Sequence, residues 1–226
     1  MKTTFYGHAC FAVQIKNRTL LFDPFITPNE LAKNIDVNKV PADYILLSHG
    51  HVDHVADAIS IARRTGATVI ANFEVGNWCQ KQGISKIHQM NHGGSYHFDF
   101  GSVKYVNAIH SSSTPDGVYA GNPGGFVVES DEGNFYYSGD TALTMDMKLI
   151  GESTKLKWAA LPVGDNFTMG AADAVRAADF VNVNEVLGLH FDTFPPIKID
   201  HEAAMKTFAA KGKKLYLLKP GESHDF

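Results

Sequence analysis

The stretch YILLSHGHVDHVADA, residues 44–58, crowds His49, His51, Asp53 and His54 just beyond an apolar run. The run reads as a strand, so the four residues fall on a tight loop leading into a helix, where the backbone is free to bend and point the imidazoles inward together. Neutral imidazoles and a carboxylate are borderline ligands that suit zinc, manganese or iron, and a site with spare coordination positions is catalytic rather than structural. The spacing suits two ions. His49 and His51 reach one while Asp53 and His54 reach its neighbour, and paired-metal chemistry needs ions about 3.5–4 Å apart. One cluster does not fill two coordination spheres, so further ligands are required at other strand ends. Three are present: His110 closes VKYVNAIH, Asp140 follows FYYSGD, and His190 closes EVLGLH. Each alone is open to an ordinary role as a hydrogen-bonded histidine or a capping aspartate. Their joint occurrence with SHGHVDH favours ligation.

Such residues meet only if strands deliver them to one edge, and in open sheets with crossover helices that edge is the carboxyl end. Aromatic and branched residues predict strands at 3–6, 10–15 and 19–23, then a strand, helix, strand unit at 44–48, 55–65 and 68–71. A helix at 73–82 precedes two hairpins, 95–100 with 103–109 across a Gly-Ser turn and 125–130 with 134–138 through DEG. Helices at 143–150, 171–183 and 201–210 then alternate with strands at 158–163, 186–189 and 214–218. Mixed strands followed by strand and helix alternation, twice over, predict an α/β (α+β) chain of two similar halves whose sheets pack together with helices outside. Residues 1–226 read as one domain.

Composition narrows the partners. With 44% hydrophobic and 19% charged residues and a net charge of −4, the chain has material for a core and no basic tract for a polyanion. The start, MKTTFYGHACFAVQI, lacks the features of a signal peptide, and no apolar run approaches about 18 residues, which predicts a cytoplasmic protein without a membrane span. Cys10 and Cys79 form no CxxC motif and read as packed thiols.

The His-x-His-x-Asp-His stretch, followed in order by His110, Asp140 and His190, resembles the metallo-β-lactamase fold superfamily, and the similarity spans nearly the whole chain. Asp23 in LLFDPF matches the first motif of that superfamily, where it supports the metal-binding loop from behind the ligands. The opening FYGHACF, the stretch DNFTMGAADA and HFDTFPPI are similar to a bacterial and archaeal family of metal-dependent hydrolases without an assigned substrate. That family is itself similar to ascorbate phosphate lactonases and, more distantly, to the phospholipase D that cleaves N-acyl phosphatidylethanolamines. The resemblance implies a four-layer αββα sandwich and two divalent metal ions, zinc first with manganese, iron and nickel as alternatives. It places His49, His51 and His110 on the first ion, Asp53, His54 and His190 on the second, and Asp140 across both. A carboxylate can span two cations and offset their repulsion; imidazoles cannot. The nucleophile is then a hydroxide, since metal binding lowers the pKa of water from about 15.7 to about 7, and Asp53 orients it and accepts its proton.

Weaker signals surround this centre. His8 in GHAC is either a buried, hydrogen-bonded histidine or a contact to a ligand or the substrate. Thr168 precedes a helix start at Ala171 whose free amides suit a phosphate or carboxylate, or it is an ordinary cap. Phe191, Phe194, Pro195 and Pro196 wall an apolar pocket or stop a helix. His88, His92, His97, His201 and His224 lack a strand-end setting with partners. The predicted activity is hydrolysis of a small ester, lactone or phosphoester by a chain that is monomeric or a homo-oligomer. The rivals are a nuclease of the same fold, which this short acidic chain lacks the arms to serve, and a noncatalytic metal-binding module.

Overall fold

Alternating apolar residues set the first strands, β1 (Lys2–Gly7), β2 (Cys10–Ile15) and β3 (Arg18–Phe22), and continuous apolar runs set β4 (Tyr44–Leu47) and β5 (Thr68–Asn72). A computed structural model describes all residues 1–226. It adds β6 (Ile87–Met90) and, from the far end of the chain, β14 (Ser223–Asp225), to give a seven-stranded sheet in the order β14-β1-β2-β3-β4-β5-β6. The second sheet comprises β7 (Ser95–Phe98), β8 (Gly101–Asn107), β9 (Gly124–Ser130), β10 (Gly133–Tyr137), β11 (Trp158–Pro162), β12 (Glu185–Leu189) and β13 (Lys214–Tyr216). Its order is β13-β12-β11-β10-β9-β8-β7.

Each sheet changes from antiparallel to parallel pairing at its centre, at β3 in the first and at β10 in the second. The helices cover the outer faces: α1 (Val52–Val55), α2 (Ala58–Thr65) and α3 (Phe73–Lys81) on the first sheet, α4 (Asp146–Ser153), α5 (Ala171–Phe180) and α6 (His201–Ala209) on the second. The metallo-β-lactamase-like αββα sandwich is therefore present. One cluster of 43 buried residues draws on both inner faces and runs on to α4–α6, so a shared core joins the halves. Stacked Phe11 and Phe22 at 4.5 Å, with Tyr137 edge-on to both, lie at its middle. No helix is long and apolar enough to cross a membrane.

Several elements depart from their predicted bounds for local reasons. The helix predicted over 55–65 is broken, because the buried Asp57 carboxylate turns away to accept from the amides of Ile26 (2.6 Å) and Thr27 (2.9 Å). The first hairpin turns at Asp99 and Phe100, with Gly101 already paired to Phe98, and not through Gly-Ser. The helix predicted at 143–150 begins at Asp146, and that predicted at 171–183 ends at Phe180.

Candidate metal centre

The predicted ligands lie beyond the carboxyl ends of strands, with Asp53 and His54 on the single-turn α1 and not on the expected loop, and the turns at several of these ends are tight. His8 after β1, Asp23 after β3 and His190 after β12 adopt left-handed backbone, φ +56°, +40° and +55°. Histidine and aspartate are among the side chains that enter this region most readily, and such residues concentrate at functional sites. The His190 amide donates to the His8 carbonyl at 2.8 Å, which ties the two sheets together at the site. Glycines permit the remaining approach: a Cβ at Gly164, after β11, would lie 1.9 Å from the His190 carbonyl oxygen.

His49, His51 and His110 form one group of converging ligand atoms, and Asp53, His54 and His190 form a second, joined by His8. His49 Nε2 and His51 Nδ1 are 3.0 Å apart, and His110 packs edge-on to both rings at 5.2 Å. A single oxygen, Asp140 Oδ2, lies 3.0 Å from His190 Nε2, 3.3 Å from His54 Nε2 and 3.7 Å from His110 Nε2, between the groups. His8 serves differently. Its Nε2 contacts Asp53 Oδ2 at 3.0 Å and its Nδ1 contacts the Thr193 hydroxyl at 2.9 Å, so both nitrogens are engaged and the ring fixes the carboxylate.

Asp23 also stands behind the ligands. Its carboxylate is fully buried and accepts from the Ser48 amide (2.8 Å), the Ser48 and Tyr137 hydroxyls, and His54 Nδ1 (2.7 Å). With those bonds made it has little left for an ion, and it instead turns His54 Nε2 toward Asp140. Because the Ser48 hydroxyl proton goes to Asp23, its oxygen accepts from His49 Nδ1–H at 2.9 Å, which leaves His49 Nε2 as the free ligand atom.

The donor set calls for positive charge. Burial opposes the ionised form of Asp140, yet His190 and His54 hold it well below the usual carboxylate range. Burial likewise opposes the Asp53 carboxylate and is outweighed by His54, His190 and His8. Burial disfavours the imidazolium of His54, but Asp140, Asp53 and Asp23 raise it well above its ordinary value; His190, similarly opposed by burial and driven by Asp140, is pushed up to about 9. Burial lowers His49 well below its ordinary value, with His54 adding to it and Asp140 opposing, and lowers His8 to about 4, with His190 adding to it and Asp53 opposing. Two carboxylates and a buried His54 Nε2 without a hydrogen-bond partner thus face a gap that cations would satisfy. These residues suit divalent metal ions.

The pattern of the beta-lactamase superfamily domain matches residues 18–191. Two bacterial proteins, from Christiangramia forsetii and Flavobacterium johnsoniae, are each 56% identical over 99% of both chains, and each is a UPF0173 metal-dependent hydrolase. The chain belongs to this family. It is a metal-dependent hydrolase of the metallo-β-lactamase superfamily. Among solved structures, a metallo hydrolase from the hyperthermophilic archaeon Ignicoccus hospitalis superimposes with a TM-score of 0.88 at 30% identity, covering 100% of this chain and 98% of its own. An isothiocyanate hydrolase from Delia radicum gut bacteria shares the fold, with a TM-score of 0.80 at 18% identity over 100% and 99% of the two chains.

Five of the predicted ligands, His51, Asp53, His110, Asp140 and His190, open onto a cavity of about 280 Å³ whose remaining walls are Ser111, Phe167 and Phe194. A larger groove of about 650 Å³ between the start of α5 and α6 contains none of them. Of the residues read as either pocket wall or helix stop, Phe194 lines the cavity, whereas Phe191 is buried against Phe5. Thr168 is corrected as a cap, since it does not cap α5, and it does not line the cavity. Its hydroxyl contacts the Met169 carbonyl, and the cap position is Gly170. Its neighbour Phe167, exposed, occupies the mouth instead. His92 bonds the Pro123 carbonyl at 2.9 Å, outside the centre. Ser48, Tyr137 and Thr193 were not expected to serve the site. Ser48 adjoins His49, which is a signal of place; nothing in a lone tyrosine or threonine marks Tyr137 or Thr193.

Proposed function

We propose that this hydrolase carries two divalent metal ions, zinc first and manganese, iron or nickel as alternatives, and cleaves a small ester, lactone or phosphoester. The observation that carries the reading is the division of the ligand atoms into two adjoining groups with one Asp140 oxygen between them. His49, His51 and His110 would hold one ion, Asp53, His54 and His190 the other. Ions so held supply an activated water at neutral pH and polarise the substrate oxygen.

The chain's own residues do the rest. Asp53 has Oδ2 fixed by His8, which leaves Oδ1 to orient the attacking water and receive its proton. Asp23, through His54, and Ser48, through His49, hold the imidazoles so that little reorganisation accompanies the reaction. Phe167 and Phe194 exclude bulk water and position the substrate. The substrate is a small molecule rather than a nucleic acid, in keeping with the narrow cavity and the net charge of −4.

Elemental analysis per chain, before and after chelation, with hydrolysis of generic lactones and phosphodiesters on the same samples, tests this reading. Close to two ions, with activity lost on chelation and restored by one metal, is the expected result. A chain that binds metal in complete ligation and turns nothing over would be the noncatalytic module; one that binds none after reconstitution would sink the whole assignment.

A further inference from the structure

We propose that the substrate is a small uncharged carboxylic ester or lactone, with no phosphate or carboxylate on the part that lies outside the reacting bond. This rests on the hydrolytic reading above and narrows it. Two observations carry it. The strand-end loops that build the site, residues 7–9, 23–29, 48–57, 108–123, 138–145, 163–170 and 190–197, contain neither lysine nor arginine, and all 20 of the chain's lysines and arginines lie elsewhere. The cavity agrees, since its walls beyond the ligands are one serine hydroxyl and two phenylalanine rings.

A phosphate or carboxylate on a ligand is ordinarily met by guanidinium or ammonium groups. Here such a group meets none of these, for beyond the ligands the cavity presents only Ser111, Phe167 and Phe194, and no other carboxylate of these loops lines it. Two divalent ions balanced against Asp53, Asp140 and Asp23 leave a small positive charge at the centre. That charge suffices for the reacting oxygen and offers nothing to a group held farther out. Phe167 and Phe194 instead offer apolar surface, and the cavity lies below the roughly 300–1,000 Å³ of drug-sized sites. The phosphate that the resemblance to ascorbate phosphate lactonases would suggest has no partner in this pocket.

The test uses metal-loaded protein and two substrate pairs that differ by a methyl against a carboxylate: γ-valerolactone with γ-carboxy-γ-butyrolactone, and ethyl butyrate with monoethyl succinate. Proton release gives kcat/KM, and calorimetry with butyramide and succinamate reads the same selectivity without turnover. The neutral member is expected to be favoured by about tenfold or more in a reactive pair, since a carboxylate taken into this cavity loses water and gains no partner. Phe167→Lys is expected to narrow that gap with metal content unchanged. Equal rates, a preference for the anionic member, or no narrowing in the variant overturns the inference while hydrolysis stands. If neither pair is cleaved at full metal loading, the ester-hydrolase reading itself falls.

Discussion

Asp53 and His8 show how the chemistry divides between a residue that faces the substrate and one that holds it. Asp53→Ala is expected to lower kcat by at least about 100-fold, the usual worth of a positioned acid or base, with far-UV dichroism unchanged because the residue sits on the single-turn α1 at the cavity and not in the core. Retained turnover would remove Asp53 from its role. His8→Asn keeps a side chain that tolerates the left-handed backbone and removes the clamp on Asp53 Oδ2. Partners behind a metal ligand are typically worth about 10–100-fold in affinity or activity, so metal titration and kcat should both fall within that range; wild-type values for both would make His8 a passive core residue. Tyr137→Phe deletes one donor to the buried Asp23 carboxylate. A hydrogen bond to a charged group contributes about 1.5–3 kcal/mol, which urea unfolding would register and which a smaller loss than about 0.5 kcal/mol would contradict.

At the scale of elements, strand ends were legible because the apolar runs that make β4, β8, β10 and β12 stop where ionisable residues begin, so runs and ligands could be read together. The short edge strands were not. IHQM of β6 and SHD of β14 lack apolar alternation, and pairing with β5 and β1 rather than intrinsic preference makes them strands. The broken helix at Asp57 was hidden for a similar reason, since its partners Ile26 and Thr27 are distant in sequence. The junction between β11 and β12 offers a test of how closely elements must approach to place a ligand. Because a Cβ at Gly164 would lie 1.9 Å from the His190 carbonyl, Gly164→Ala must displace the turn that carries His190. A loss of at least about 2 kcal/mol of stability is expected, in the range for strained backbone and overpacking, together with weaker metal binding in titrations. An alanine variant with wild-type stability and affinity would show that this contact yields freely.

For the molecule as a whole, the two sheets repeat one plan, and the site lies where their corresponding ends meet. Asp23 and Asp140 follow β3 and β10, the strands at which each sheet changes pairing, and His8 and His110 follow β1 and β8, each next to the edge strand at the antiparallel end of its sheet. The halves have diverged in use: Asp23 is consumed by donors behind His54, while Asp140 faces the gap. Similarity of element order was readable from the sequence, but this correspondence required the strand order. Since His49, His51, Asp53 and His54 come from the first half and His110, Asp140 and His190 from the second, bound ions would link the halves and favour only the folded chain. A site held at about a hundred times its Kd contributes about 2.7 kcal/mol, and in a chain of this size 1 kcal/mol moves Tm by about 2–4 °C. Chelation is therefore expected to lower Tm by about 10 °C or more when both sites are filled, with recovery on adding back one metal. His110→Ala should abolish part of that shift, because the ion on His49 and His51 then keeps only Asp140 from the second half. A Tm indifferent to chelator, in protein shown to contain metal beforehand, would mean that the ions do not bridge the halves.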